Sequence, residues 1–385
     1  MHTISAPSSP TSGHLLAIDC ITTATPIARQ AIVDATGTAV GHEIFNRSRT
    51  ASAHNIDSDL AIAYTVLSHL GDEPLLDSGL LFLNTTYESL TGSHLDLLPT
   101  SKVVFEIPSL GHAAASEVEA RRPTLAALRD KGFALAFNHS ILDSTYAPWH
   151  DLVSYLKIDF SVLTAERAVL MMQWARRIPD VVVIADKIES PAQLQLAQEN
   201  QADLLQGYAL GRPEAIHTRV VLPTTADTDA LQTLLAQAPD NDALAPWLVQ
   251  HPALLFNLLR MVRANVITDE DDFDSLAQLL DALAPKVLTQ WMRMLQAVAT
   301  PRERQAEALH NYLQLLAGLT QAATKHWPAL APGQLQLSCS ALVIGHMLGL
   351  SVPESAQLLL PARLRQQVLQ DIPAWQALLP NNTTH

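Results

Sequence analysis

Short runs of β-branched residues alternate with longer helical patterns between residues 15 and 219, and this alternation constrains the fold most. It is typical of βα units built around a parallel sheet. The segment opens with a predicted hairpin, 27–33 and 39–46, with Gly37 in its turn. Further strands are predicted at 80–83, 102–107, 133–137, 155–158, 181–185 and 203–205. This number of strands approaches that of a (β/α) barrel.

Beyond Pro213 the sequence becomes rich in Leu, Ala and Gln with helical periodicity, so an all-α part is expected after the α/β part. Apolar residues fall at helical spacing in 254–262 and 287–295, and Ser351 is a predicted N-cap. The predicted organisation is a disordered tail at 1–13, an α/β domain at 14–219, a linker at 220–230 and a helical domain at 231–380.

The chain is acidic, with 24 Lys and Arg against 38 Asp and Glu and a net charge of −14, which disfavours direct binding to nucleic acid. Cys20 and Cys339 form no metal-binding or disulfide pattern. No run approaches the roughly 18 apolar residues of a membrane span, and the N-terminus lacks the features of a secretory signal. We therefore expect a cytoplasmic protein without membrane association.

A polar side chain stands at or just past the end of each predicted strand. In barrels of parallel strands these carboxyl ends meet at one mouth, where functional sites are built. We therefore expect the following residues to converge: Glu43, Asn84, Glu106, Asn138, Lys157, Asp159, Asp186 and Gln206. Period-2 alternation also places Glu43, Phe45 and Arg47 on one face of their strand.

Seven short motifs in order resemble those of the EAL family of bacterial cyclic di-GMP phosphodiesterases. They are Arg29-Gln30-Ala31-Ile32, Gly41-His42-Glu43-Ile44-Phe45-Asn46-Arg47, Leu83-Asn84, Phe105-Glu106-Ile107, Leu156-Lys157-Ile158-Asp159, Ala185-Asp186-Lys187-Ile188-Glu189-Ser190 and Leu205-Gln206-Gly207-Tyr208 with Arg212-Pro213. The resemblance implies a TIM-like barrel. In the sixth motif Asp186 stands where the family has Glu, and Lys187 stands where it has Gly.

The C-terminal part resembles the HDOD domain, a helical relative of HD hydrolases without the metal-binding His-Asp pair. The matching segments are His251-Pro252 to Leu258-Leu259-Arg260, 279–283, Thr289-Gln290-Trp291 and Gly345-His346-Met347-Leu348-Gly349-Leu350. The family's Asn-Ser and Leu-Gly are here Arg263-Ala264 and Leu283-Ala284. The order of an EAL domain followed by an HDOD domain is a bacterial signalling architecture.

The resemblance implies a metal-dependent mechanism. In EAL enzymes, carboxylates and an Asn side chain hold two divalent cations that activate water. The family's central Asp-Asp pair is replaced here by Asn138-His139, which carries no negative charge. The carboxylate of Asp186 is also about 1.5 Å shorter in reach than that of Glu. We therefore expect no metal, no cofactor and no catalysis. The relict positions of the former site are Glu43, Asn84, Glu106, Asn138, His139, Lys157, Asp186 and Glu189.

Several interpretations stay open on this basis. The first is a non-catalytic signalling protein that binds another bacterial protein. In one form of this interpretation, the protein binds cyclic di-GMP without hydrolysing it. The chain could also form a homodimer. The ligand residues implied by the resemblance are Gln30, Arg47, Asp159, Glu189 and Gln206. The alternative is an active or altered phosphodiesterase that uses Mg²⁺ or Mn²⁺. In the plainest interpretation, Glu43 and Glu106 only pair with Lys157 and Arg47, and His139 is a hydrogen-bonded residue at the barrel end.

Overall fold

The computed structural model describes residues 20–21, 24–46, 56–69, 79–110, 115–217, 220–265, 273–301 and 306–380. Its strands are β1 (Cys20–Ile21), β2 (Ala24–Asp34), β3 (Ala39–Asn46), β4 (Leu80–Asn84), β5 (Val103–Glu106), β6 (Ala134–Asn138), β7 (Tyr155–Asp159), β8 (Val182–Asp186), β9 (Leu204–Leu205), β10 (Glu214–His217) and β11 (Val220–Val221).

The helices divide between the two parts of the chain. Those of the first part are α1 (Ile56–His69), α2 (Ala115–Asp130), α3 (Ala165–Ala175) and α4 (Pro191–Glu199). Those of the second part are α5 (Thr225–Leu235), α6 (Asn241–Val249), α7 (Pro252–Asn265), α8 (Leu276–Ala282), α9 (Pro285–Val298), α10 (Ala306–His326), α11 (Pro332–Met347), α12 (Val352–Leu359), α13 (Ala362–Gln370) and α14 (Ile372–Leu378).

Strands β2 to β9 form a closed barrel. Each strand from β3 to β9 pairs in parallel with the next. Strand β2 is antiparallel to β3 and also to β9, where Val33 lies opposite Leu205, and this second pairing closes the sheet. Strand β10 adds to the outer edge of β2. The predicted hairpin is confirmed, with Gly37 in its turn at a φ of 83°.

Alternation along the strands separates the barrel interior from the face that packs against helices. Interior positions form a buried apolar layer of Ile32, Phe82, Val104, Ala136, Ile184 and Leu204. Two residues further along three of these strands come Asn84, Glu106 and Asp186. The apolar layer therefore fills the barrel and leaves the polar side chains at its carboxyl end.

The second part of the chain is helical, as predicted. The apolar patterns at 254–262 and 287–295 lie within α7 and α9, and Trp291 is 1 % exposed. Ser351 is the N-cap of α12 and accepts a hydrogen bond from the Glu354 backbone N–H, as expected. The two parts also share buried apolar contacts, because α1 of the barrel packs against α7 and α9.

Residues 220–230, predicted as a linker, contain regular structure instead. Val220 and Val221 form β11, which pairs with β1. Helix α5 then begins at Thr225, because the Thr224 hydroxyl and the Asp227 carboxylate each bond the other's backbone N–H in a capping box. The tail at 1–13 lies outside the described residues. Among the residues that are described, no helix has both the length and the apolar character that crossing a membrane requires.

Candidate functional site

The polar residues at the strand ends line one cavity of about 570 Å³ at the carboxyl end of the barrel. Ten residues singled out in the sequence are brought together there: Gln30, Glu43, Asn84, Glu106, Asn138, Lys157, Asp159, Asp186, Glu189 and Gln206. Arg47 lies outside the described residues, so its predicted place beside Glu43 is not described. His139 follows β6 directly but is not among the residues that line the cavity.

The Lys157 ammonium group is at the centre of the site. Its Nζ atom donates to Glu43 Oε2 at 2.7 Å and to Glu106 Oε1 at 2.7 Å. Glu43 also accepts from Asn84 Nδ2 at 2.7 Å and from Gln206 Nε2 at 2.6 Å. The side chain of Lys157 is 7 % exposed, so these are desolvated, charge-assisted bonds. The ends of five strands are thereby connected through Glu43 and Lys157.

The two glutamates differ in their affinity for a proton. Burial raises the pKa of Glu106 to about 8, and the nearby Glu43 charge adds to this despite Lys157. Burial would raise the pKa of Glu43 as well, but Lys157, Gln206 and Asn84 together hold it below its usual value. Glu43 is therefore ionised near neutral pH while Glu106 is largely protonated. Burial also raises the pKa of Asp186.

Of the two residues in place of the Asp-Asp pair, Asn138 has a local structural role. Asn138 Oδ1 accepts from the Ser140 backbone N–H at 3.0 Å and from its hydroxyl at 2.5 Å, which caps the 3₁₀ helix His139–Leu142. His139 is half-buried, and burial lowers its pKa, so the imidazole is neutral near pH 7. Within the part of the chain that the structure describes, its buried Nδ1 has no hydrogen-bond partner.

One charged residue among the described residues that line the cavity was not predicted as a site residue. Lys187 directly follows β8 and has a φ of 56°, in the left-handed region. This conformation costs a residue other than Gly about 1 to 2 kcal/mol. Its Nζ bonds Asp159 Oδ2 at 2.5 Å, but the Lys187 side chain is 55 % exposed, and such pairs contribute at most about 1 kcal/mol. The position of Lys187 directly after a strand is the sequence feature that could have identified it as a site residue.

The cavity presents carboxylate and amide oxygens, which are possible metal ligands. Carboxylate and amide oxygens are the ligands that Mg²⁺ and Mn²⁺ take. However, Lys157 already pairs with Glu43 and Glu106, and no group of three or more His, Cys, Asp or Glu in the described segments is placed to hold a metal ion. As arranged, these side chains do not fit a metal ion.

The fold and the site together define a (β/α) barrel with a buried, carboxylate-rich cavity at its carboxyl end. No family model matches the chain. The chain is 25 % identical, over 256 residues, to cyclic di-GMP phosphodiesterase CdgJ of Vibrio cholerae. The match covers 64 % of this chain and 57 % of CdgJ, so the chain spans less than two thirds of the length of that relative. This similarity supports the resemblance that the barrel motifs carry.

Among solved structures, the chain is similar to the phosphodiesterase PaMucR in its cyclic di-GMP complex, with 16 % identity and a TM-score of 0.40 over 49 % of this chain and 90 % of that one. It is also similar to the EAL domain of Mycobacterium smegmatis DcpA, with 17 % identity and a TM-score of 0.40 over 55 % of this chain and 97 % of that one. The strand order of the structure itself establishes the barrel fold.

The prediction that this chain is not an enzyme is wrong on this comparison, because the curated relative is a phosphodiesterase. That prediction gave decisive weight to the two carboxylates missing at Asn138 and His139. The structure shows what remains: Glu43, Glu106 and Asp186 still converge at one mouth around Lys157.

Proposed function

We propose that this chain is a phosphodiesterase that hydrolyses cyclic di-GMP in the cavity at the barrel mouth. The observation that carries the proposal is the buried cluster of Glu43, Lys157 and Glu106, whose members come from three separate strands. The similarity to CdgJ, itself a cyclic di-GMP phosphodiesterase, supports the choice of substrate.

The cluster contains the two kinds of group that hydrolysis of a phosphodiester needs. Ionised Glu43 accepts a proton from water as the water oxygen bonds to phosphorus, and protonated Glu106 donates its proton to the sugar oxygen as the P–O bond breaks. Lys157 bonds both carboxyl groups and stabilises the negative charge of Glu43. Paired groups with separated pKa values are the pattern expected of a general base and a general acid.

The test is the hydrolysis of cyclic di-GMP by the full chain, followed by chromatography of the linear product. We expect Glu43→Gln to reduce the rate by about 10² to 10⁴-fold, the usual contribution of a general base. Glu117→Gln on α2 is the control, because that side chain is 46 % exposed and lies outside the cavity. Equal rates for wild type and Glu43→Gln would contradict the proposal.

We propose that this activity uses neither Mg²⁺ nor Mn²⁺, because Lys157 already bonds Glu43 and Glu106 and the side chains of the described residues do not fit a metal ion. The measurement is the thermal midpoint of unfolding against MgCl₂ or MnCl₂ concentration, since a ligand of the folded state raises that midpoint. We expect neither ion to raise it. A midpoint that rises with either ion in the wild type, and rises less in Asn84→Ala, would contradict this proposal.

We propose that the helical part, 231–380, is an HDOD-like module, because its motifs resemble those of the HDOD domain. We further propose that it contacts another bacterial signalling protein in the cytoplasm and that the chain forms a homodimer. Light scattering of the purified chain tests the dimer directly, and a monomer over the whole accessible concentration range would contradict it.

A further inference from the structure

The backbone around Lys187 is held on both sides by hydrogen bonds. The Asp186 carbonyl accepts from the Phe160 N–H at 2.9 Å, before Lys187 in the chain. After it, the Ile188 N–H donates to the Gln206 carbonyl at 3.0 Å and the Ile188 carbonyl accepts from the Ala209 N–H at 2.9 Å. The left-handed conformation at residue 187 is therefore imposed by its surroundings, and Gly would adopt it without cost.

The ion pair of Lys187 does not account for a lysine at this strained position. Asp159 is bonded without it, because Asp159 Oδ1 accepts from the Ser161 backbone N–H at 2.8 Å and from the Ser161 hydroxyl at 2.6 Å. The Lys187 side chain is more than half exposed, so its single bond to Asp159 Oδ2 is weakened by solvent. The ion pair therefore does not offset the cost of the backbone conformation, and a strained residue that lines a cavity is a candidate for a functional role.

The charges of the cavity indicate which role the Lys187 side chain has. Among the described residues that line the cavity, five are carboxylic acids and two are lysines. Lys157 is buried and bonded to both Glu43 and Glu106, whereas Lys187 keeps N–H groups that face solvent. Among the described residues of the lining, Lys187 therefore carries the positive charge that an anionic ligand entering the mouth can reach.

We propose that Lys187 binds a phosphodiester group of the cyclic dinucleotide, moving from Asp159 or sharing its ammonium between Asp159 and the phosphate. This inference rests on the proposed function for the identity of the ligand. It assigns the recognition of the anion to a residue that stands where the resembling family has Gly. A lysine binds phosphate as a mobile point charge, so the half-exposed stem of Lys187 suits the role.

The experiment is calorimetric titration of cyclic di-GMP into the full chain, with the ligand checked afterwards for hydrolysis by chromatography. We expect Lys187→Gly to weaken binding at least tenfold and to make the affinity less dependent on salt, because one ionic contact is lost. Its thermal midpoint should not fall, since Gly relieves the backbone strain, and this shows that the variant is folded. Lys187→Arg should keep most of the affinity.

Ala238→Gly is the matched control. Ala238 also has a left-handed backbone, with a φ of 47°, but it lies between α5 and α6, outside the cavity lining. We expect its affinity to equal that of the wild type. Binding by Lys187→Gly that is as tight as wild type, or tighter, would overturn the inference.

The inference and the proposed function fail in different ways. Binding that depends on Lys187 without any turnover supports the inference and contradicts the function. Turnover with unchanged binding in Lys187→Gly supports the function and overturns the inference. If the wild-type chain binds no cyclic di-GMP, both are wrong.

Discussion

At the scale of single residues, Glu106 makes the stability of the fold depend on pH. Its pKa is about 8 in the folded protein, against 4.5 for the ordinary carboxyl, so the folded state holds the proton more tightly. This contribution to stability is complete below about pH 4.5 and is lost as the pH rises to about 8. We expect the free energy of unfolding to fall across this window.

Urea unfolding at a series of pH values measures this effect. Glu106→Gln keeps a neutral side chain of similar shape, so its free energy of unfolding should change less between pH 5 and pH 8 than that of the wild type. Comparison with the wild type cancels the contributions of other carboxyl groups, such as Asp96, whose pKa is lowered to about 2. Parallel curves for the two proteins would contradict the prediction.

Most residues of the site could be predicted from the sequence, because strand periodicity alone places Asn84, Glu106 and Asp186 at the same barrel end. The proton affinities of the glutamates could not be predicted from the sequence, since they depend on burial and on which carboxyl groups Lys157 contacts. Lys187 was missed for a similar reason. Its conformation is set by hydrogen bonds to residues 160, 206 and 209, which are remote in sequence.

At the scale of elements, Gly207 fixes the contact between the loop after β9 and the loop after β8. Its φ is 151°, and a Cβ atom there would lie 2.2 Å from the Ile188 backbone nitrogen. Gly207→Ala should therefore push the two loops apart and lower the free energy of unfolding by about 1 to 3 kcal/mol. Gly211→Ala is the control on the same loop, because its Cβ would meet nothing within 4 Å.

Urea unfolding of both variants is the measurement, combined with the cyclic di-GMP affinity. Because the loop after β8 carries Lys187, we expect Gly207→Ala to weaken binding as well. A Gly207→Ala variant as stable as Gly211→Ala would show that the loops tolerate a side chain at this point.

The elements themselves were largely predictable, and the differences have local causes. The strand predicted at 203–205 is one residue shorter in the structure, Leu204–Leu205, and at its start the Asp203 carboxylate accepts from the Val183 backbone N–H. The linker prediction missed α5, because Thr and Asp residues in a polar run indicate a loop as well as a helix cap. The hydrogen bonds between Thr224 and Asp227 are what distinguish a helix cap from a loop here.

At the scale of the whole molecule, Arg260 connects the helical part to the barrel. Arg260 lies on α7 and is 1 % exposed, and its Nε donates to the Ser68 carbonyl of α1 at 3.0 Å. Nearby, the Tyr64 hydroxyl lies 2.7 Å from Asn257 Oδ1. Buried polar contacts thus accompany the apolar contacts between α1 and α7.

Arg260→Met should leave the Ser68 carbonyl without this donor and reduce the free energy of unfolding by about 1 to 3 kcal/mol. We expect the barrel and the helices of the wild type to unfold in a single transition, because they share one apolar core. Arg293→Met on α9 is the control, since that residue is exposed. Circular dichroism against urea measures both, and two separate transitions in the wild type would contradict a shared core.

The closure of the barrel by β2 and β9 has a consequence for how the chain acquires its structure. Val33 pairs with Leu205, and Cys20 pairs with Val221, so the partners of the first strands are synthesised 172 and 201 residues later. Contacts of such sequence separation slow folding, because a long loop must close before they form. The bond between Gln206 and Glu43 forms only across that closure. The cavity at the barrel mouth is therefore among the last features of this protein to appear as it leaves the ribosome.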